Sequence, residues 1–494
     1  MASFDKHRDR RIIYNDDGDQ QYPFEGYSYN VTDEQSFLDM RTTPTFDTHV
    51  DTYAWCVGNG CDPPWGESYK YKIWPAIGSA QRANDIIVTG CHDRGMEVWA
   101  SLRMNDIHDS FMAASYAETN DPLKAEHPEY LIAPEEALEL PQELKDRYLW
   151  SAFDFSRPEV RAHRLDFIRR NAAAHDFDGY ELDFTRFVWN FPLGRERQHA
   201  DEMTELVRDI RAALDEIGKA RGRHYTFAVH VLDSLRVSFQ LGLDVGQWLD
   251  EGLVDVLVVG LGYLPYSVRM DEWLSLGRQY QVQVYPSMNT NVFSHWWKKR
   301  THQPESWTEA IRAGAAYHWQ EGADGIYLFN VFCMEDKNVG PLPREVTYAP
   351  LSEVGDPEAL SGEDKLYSIQ PSFDGGFCQH GSEMAALPIA LDKMEHPLPL
   401  MMGPDADDPT AAFTISVLTQ GGEPERVWLR LNHVLLPAPQ RESDFYTVEV
   451  PAGVMRTGLN ELAIFCNEEL IETANPLIVN QVFVRAGYGA EASE

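Results

Sequence analysis

Apolar and polar positions change rhythm in a regular way along the first two-thirds of the chain. Short, almost uninterrupted apolar runs occur at Arg11–Asn15, Val50–Cys56, Met96–Leu102, Gly179–Phe184, Tyr225–Val231, Val254–Gly260, Val282–Pro286 and Gly325–Asn330. Between them lie stretches with helical spacing. Ala162, Leu165, Ile168 and Ala172 form one such stripe, and Met203, Leu206, Val207, Ile210, Leu214 and Ile217 another. Helices are also predicted around Thr32–Met40, Ser79–Arg94, Val245–Glu251, Asp271–Tyr280 and Glu305–Glu321. Ser156-Arg-Pro-Glu159 reads as a helix start with Ser156 as N-cap, and Ser306/Glu309 reads as a second capping box. Strands apolar on both faces, alternating with helices, predict a parallel sheet covered on its outer side. Eight such units predict a (β/α)8 TIM barrel over residues 1–345. No glycine-rich phosphate loop follows the first strand, which argues against a doubly wound nucleotide-binding fold.

Two regions break the rhythm. Residues of about 110–147 are polar and contain proline, and they read as an insertion over one end of the barrel. Residues 346–368, within a stretch rich in Pro, Glu and Gly, read as a linker. Beyond them, Phe413–Leu418, Val427–Leu431, Tyr446–Val450, Leu459–Phe465 and Ile478–Val484 alternate apolar and polar residues between turns. That pattern predicts a C-terminal antiparallel β-sandwich over 369–494, either a carbohydrate-binding module or a structural cap.

Charge narrows the range of partners. With 78 acidic against 42 basic side chains the net charge is −36, so nucleic acid and anionic membranes are repelled. No run approaches the length of a membrane span, and the N-terminus has no apolar signal core. The expected location is cytoplasmic, or secreted or periplasmic if a signal has been removed. The six cysteines show no CxxC or Cys/His metal spacing. Cys56 and Cys61 are spaced to bridge a loop, although buried thiols are the default. Neither a metal nor a cofactor is expected. The 13 Trp, 22 Tyr and 23 Phe suit both sugar stacking and core packing.

The candidate chemistry centres on His175-Asp-Phe-Asp-Gly-Tyr-Glu-Leu-Asp-Phe-Thr-Arg-Phe187. Glu181 and Asp183 are two apart on a strand and share a face. Carboxylates inside an apolar strand are costly unless they act or are paired, and Arg186 could pair with them. Active sites of such barrels lie at the C-terminal strand ends. The polar residues expected there include Asn15-Asp16-Asp17, Arg103, Asn105, Asp106, His108, His230, Asp233, Asn289, Asn330 and Glu335 with Asp336. Acids, amides, arginines and aromatics together suit a sugar and an oxocarbenium-like transition state. Asp183 is the leading candidate for nucleophile or charge stabiliser, with Glu181 orienting it. Asp106, Asp233 and Glu335 are candidates for general acid. Arg103, Asn105, His108, Arg186, His230, Tyr263, Asn330 and Trp55 are expected to bind substrate, with Trp189 and the Trp296–Arg300 run as further stacking surfaces. The competing structural roles are buried ion pairs for the arginines and core packing for the histidines and aromatics.

Ser156-Arg-Pro-Glu-Val-Arg161 followed by His175–Asp183, together with Arg103–Asp109 and Gly322–Asn330, resembles bacterial glycoside-hydrolase-like proteins of the family-10-like type. The resemblance spans the barrel and implies a carbohydrate-active TIM-barrel enzyme. An Asp at the fourth strand end is also similar to the nucleophile position of α-amylase-type and α-galactosidase-type barrels. The chitinase pattern would need Glu where this chain has Thr185. The expectation is therefore a glycoside hydrolase acting on a poly- or oligosaccharide. A polysaccharide lyase, whose base could be His108 or Tyr263, and a non-catalytic carbohydrate-binding barrel are the alternatives.

Overall fold

The computed structural model describes residues 8–18, 31–58, 60, 74–111, 113–133, 135–141, 145, 149–260, 268–289, 305–335, 342–370, 386–469 and 474–489. Eight parallel strands close into a barrel: β1 (Ile12–Asp16), β2 (Val50–Cys56), β3 (Glu97–Arg103), β4 (Gly179–Asp183), β5 (Thr226–Val231), β6 (Val256–Val259), β7 (Gln283–Asn289) and β8 (Ile326–Phe329). Each pairs with the next, and β8 returns to β1 with Ile326 opposite Ile12.

Strand alternation sorts the side chains into two shells. Ile13, Ala54, Trp99, Ala228, Val258, Tyr285, Tyr327 and Phe329 pack together inside the barrel. Ile12, Tyr14, Tyr53, Trp55 and Leu182 face outward into a larger core shared with the helices. Gly179 is required where it stands, because a Cβ there would lie 2.6 Å from the Trp99 ring. The N-terminal end of the barrel is closed by a buried Arg10–Glu97 pair at 2.5 Å, with Thr52 and Gln283 bonded to it at 2.8 Å. This polar plug lies at the opposite end from the strand termini that carry the candidate chemistry.

The C-terminal region forms two antiparallel sheets. One has the order β10 (Ile389–Ala390), β18 (Leu477–Gly487), β12 (Ala412–Gly421), β16 (Phe445–Glu449), β15 (Gln440–Glu442), with β9 (Lys365–Ile369) also on β18. The other runs β11 (His396–Met402), β17 (Gly458–Cys466), β13 (Val427–Leu431), β14 (Val434–Leu435). Their shared core includes Ala313 and Tyr317 from helix Glu305–Glu321, so the sandwich packs on the last barrel helix.

Several local expectations are corrected. Helix Pro158–Ala174 starts one residue later than predicted: Arg157 is the N-cap position, with no side-chain cap. Ser306 and Glu309 lie inside helix Glu305–Glu321, where Glu309 pairs with Arg485 at 2.6 Å. Residues 346–368 are not an open linker. Tyr348, Leu351, Val354 and Leu360 are buried in the barrel core, and Lys365 opens the first sandwich strand. Cys56 is a buried free thiol, whereas Cys61 lies outside the described residues.

Candidate active site

The strand ends hold a continuous charged network. β4 delivers Glu181 and Asp183 to the barrel interior, as their spacing predicts, and both are buried. Asp183 is fixed through one oxygen. Its Oδ1 accepts from the Thr185 amide at 2.7 Å, the Thr185 hydroxyl at 2.8 Å and the Arg186 amide at 3.1 Å. The turn after β4 therefore sets the orientation of this carboxyl.

Around it, Arg103 at the end of β3 reaches Asp17 Oδ1 at 2.7 Å and Asp106 Oδ2 at 3.0 Å. Asp17 follows β1 and also accepts from Asn330 Nδ2 at 2.8 Å, with Arg186 at 3.8 Å. Burial alone would raise the Asp17 pKa, but Arg103 and Arg186 outweigh it and bring the group down to about 2. Asn330 adopts a left-handed backbone, φ +56°, in making this contact, a conformation Asn tolerates better than most residues.

Asp106 is held from several sides. Its carboxylate accepts from the His108 amide at 2.8 Å, from His108 Nδ1 at 2.9 Å and from Arg103. Burial opposes ionisation, yet His108 and Arg103 keep the group well below the usual carboxylate range. His108 Nε2 faces Arg186 at 3.2 Å. Burial, with Arg186 and Arg103 nearby, lowers the His108 pKa against the pull of Asp106. A neutral imidazole fits the contacts: Nδ1–H donates to Asp106 and Nε2 accepts from Arg186. The His108 side chain keeps 28% exposure, so it reaches the mouth of the site.

Beneath this rim, His230 on β5 donates Nε2–H to the Gly260 carbonyl at 2.8 Å. Its Nδ1 stands 3.8 Å from Asp183 and 3.9 Å from Glu181. Burial, and then the neighbouring Asp183, push the Glu181 pKa up to about 8.

The remaining expected site residues are placed as follows. Trp55 is on the outward face of β2, unexposed, with its indole N–H on Asn84 at 2.9 Å, so it packs against helix Ala80–His92 and cannot reach a sugar. Asn105 spends its amide on backbone: it donates to Phe153 O at 2.9 Å and Trp189 O at 2.7 Å and accepts from Phe153 N at 2.9 Å. It staples three loops together, with both amide N–H groups spent on backbone carbonyls. Trp189 is itself buried among Val188, Leu232, Val237 and Leu241. Glu335 belongs to an outer cluster with Arg344, Tyr348 and Arg41, and its pKa is raised by burial. Asp233 follows β5 and is largely buried, its carbonyl accepting from Trp273 at 3.0 Å. Tyr263, the Trp296–Arg300 run and Asp336 lie outside the described residues, as does the Asn289 side chain. Asp17, grouped in sequence only as one polar residue among many, proves central to the network. Its inward parity with Ile13 and Asn15 was the available signal.

Among the described residues, no group of three His, Cys, Asp or Glu is arranged to hold a metal. No described helix is long and apolar enough to cross a membrane.

No family model and no curated protein matches the chain. Solved structures similar in overall layout include an α-amylase from Anoxybacillus, at 13% identity and TM-score 0.43, covering 93% of this chain and 98% of that one. An α-amylase from Geobacillus thermoleovorans in complex with acarbose aligns at 12% identity and TM-score 0.42, covering 92% and 98%. A Bacillus thuringiensis chitinase aligns at 9% identity and TM-score 0.41, covering 95% and 100%. Likeness at this level does not bear on the chemistry, which has to be argued from the site.

Proposed function

We propose that the protein is a glycoside hydrolase acting on a poly- or oligosaccharide, with Asp183 as the carboxylate beneath the anomeric carbon. The observation that carries this reading is the fixation of Asp183 by three donors on one oxygen. A carboxylate oriented in advance stabilises positive charge as it develops, without reorganising during the reaction. The Asp17–Arg103–Asp106–His108–Arg186 ring supplies fixed polar groups for sugar hydroxyls. Asp106, already ionised and clamped, is a positioning residue in this reading, and Asp233 on the neighbouring strand end is the proton donor.

The test is the release of new reducing ends from a broad panel of glycans, read together with absorbance of unsaturated products. Reducing ends without unsaturation support hydrolysis. Asp233→Asn should then slow native glycans far more than aryl glycosides with good leaving groups, which need little protonation.

One observation favours a second reading. The neutral, partly exposed His108, backed by Asp106, is equipped to abstract a proton beside a bound carboxylate once that carboxylate draws Arg186 off its Nε2. Unsaturated products from uronate-containing polysaccharides would select that lyase.

A further inference from the structure

Glu181 stands where a carboxylate would not persist unaided. It is fully buried, one pleat below Asp183, and faces His230 on β5, Tyr327 on β8 and Ser101 on β3. The Tyr327 hydroxyl donates to Oε2 at 3.1 Å and the Ser101 hydroxyl also bonds to this carboxyl, two contacts that burial and the nearby Asp183 outweigh, while Oε1 is buried outside good hydrogen-bond geometry with any described residue. Its one basic neighbour among them is His230. That imidazole has committed Nε2–H to Gly260, and burial keeps it neutral. Nδ1 therefore turns a lone pair toward Glu181 and Asp183, at 3.9 and 3.8 Å. The closest remaining hydroxyl, on Thr185, is bonded to Asp183 at 2.8 Å and lies 3.5 Å from Nδ1. Two carboxyls and a lone pair in a buried interior repel one another unless one of them carries a proton. The deepest carboxyl is the one whose ionisation burial opposes most strongly.

We propose that Glu181 is held as a neutral carboxylic acid whose O–H faces the Nδ1 lone pair of His230, leaving Asp183 as the sole negative charge at the end of β4. Glu181 is then a positioning residue: its proton removes the repulsion that a second buried carboxylate would exert on Asp183 and on the Nδ1 lone pair whose tautomer Gly260 sets. Loss of that proton to solvent places a second negative charge one pleat below the first. This deepens the glycosidase reading, but the proton itself can be observed without any activity.

The test is infrared difference spectroscopy of the full-length protein, titrated from neutral to alkaline pH, on wild type and Glu181→Gln. Gln is the nearly isosteric neutral mimic. The proposal expects a carboxylic-acid C=O band in wild type that disappears around pH 8 and is missing from Glu181→Gln. A wild-type spectrum matching that of the variant, or a Glu181 band that titrates in the ordinary carboxylate range, would overturn it. If the variant fails to fold, nitrogen NMR of His230 in wild type decides: a neutral ring protonated at Nε2 at neutral pH supports the proposal, and an imidazolium refutes it. Where activity is found, its alkaline limb should be present in wild type and absent from Glu181→Gln. If no glycan is cleaved, the glycosidase reading fails while the infrared band still tests this one.

Discussion

Replacing Arg103 with Met tests whether the rim network is held by charge. The guanidinium lies between Asp17 at 2.7 Å and Asp106 at 3.0 Å, and the three side chains are 6%, 10% and 1% exposed. Met fills much of the same volume but leaves two buried carboxylates short of their shared cation. Breaking a buried pair in this way costs about 3–5 kcal/mol. Part of that cost depends on pH. A fall in the Asp17 pKa from 3.8 to about 2 corresponds to about 2 kcal/mol of stability. Because the folded pKa is depressed, this contribution is present above pH 3.8 and is lost as pH falls through 2. Without Arg103, burial acts on Asp17 with less opposition and its pKa rises, so the variant regains stability as Asp17 takes up a proton. Urea unfolding of both proteins at pH 7 and near pH 4 measures the difference. The expected deficit is about 3–5 kcal/mol at neutral pH and smaller near pH 4, where Asp17 of the variant has begun to take up a proton and that of the wild type has not. A deficit below about 1 kcal/mol, or one equal at both pH values, would mean that Arg103 does not hold the two carboxylates by charge.

Two further substitutions separate structural from sugar-facing roles. Asn105→Ala removes three buried hydrogen bonds to the Phe153 and Trp189 backbones. It should cost about 2–3 kcal/mol in chemical denaturation and speed proteolytic nicking within residues 113–133. Trp55→Phe loses the bond to Asn84 and should cost about 1–2 kcal/mol. Its Michaelis constant on any cleaved glycan should be unchanged, and a large rise would return Trp55 to the site.

The barrel was legible because its strands are apolar on both faces and its helices are not. The barrel strands begin and end within a residue or two of the sequence reading, apart from β7, which runs three residues past Pro286 to Asn289, and the β4 alternation placed Glu181 and Asp183 inside. The same property hid the orientation of Trp55: on a strand buried on both sides, parity cannot be read from hydrophobicity. Asn105 looked like a hydroxyl partner because an amide near a strand end suits either a ligand or a loop backbone, and only the fold shows which it meets. Asp17 and Arg103 are 86 residues apart in number and meet only because β1, β2 and β3 are neighbours. Strand β11, His396–Met402, escaped notice because Pro397 and Pro399 interrupt it. Its place at a sheet edge is what admits them. The 346–368 segment looked like a linker by composition, yet its few apolar residues are the ones that pack on the barrel.

In the proposed hydrolase, Asp183 is the reacting carboxylate. The most direct test compares wild type and Asp183→Asn for reducing-end release on whichever glycan the panel identifies, with melting temperature measured alongside. Asn keeps the shape of the side chain and removes the charge. The expected result is a fall in kcat of at least about 10³-fold with the melting temperature nearly unchanged. Release at close to the wild-type rate by a folded variant would contradict it.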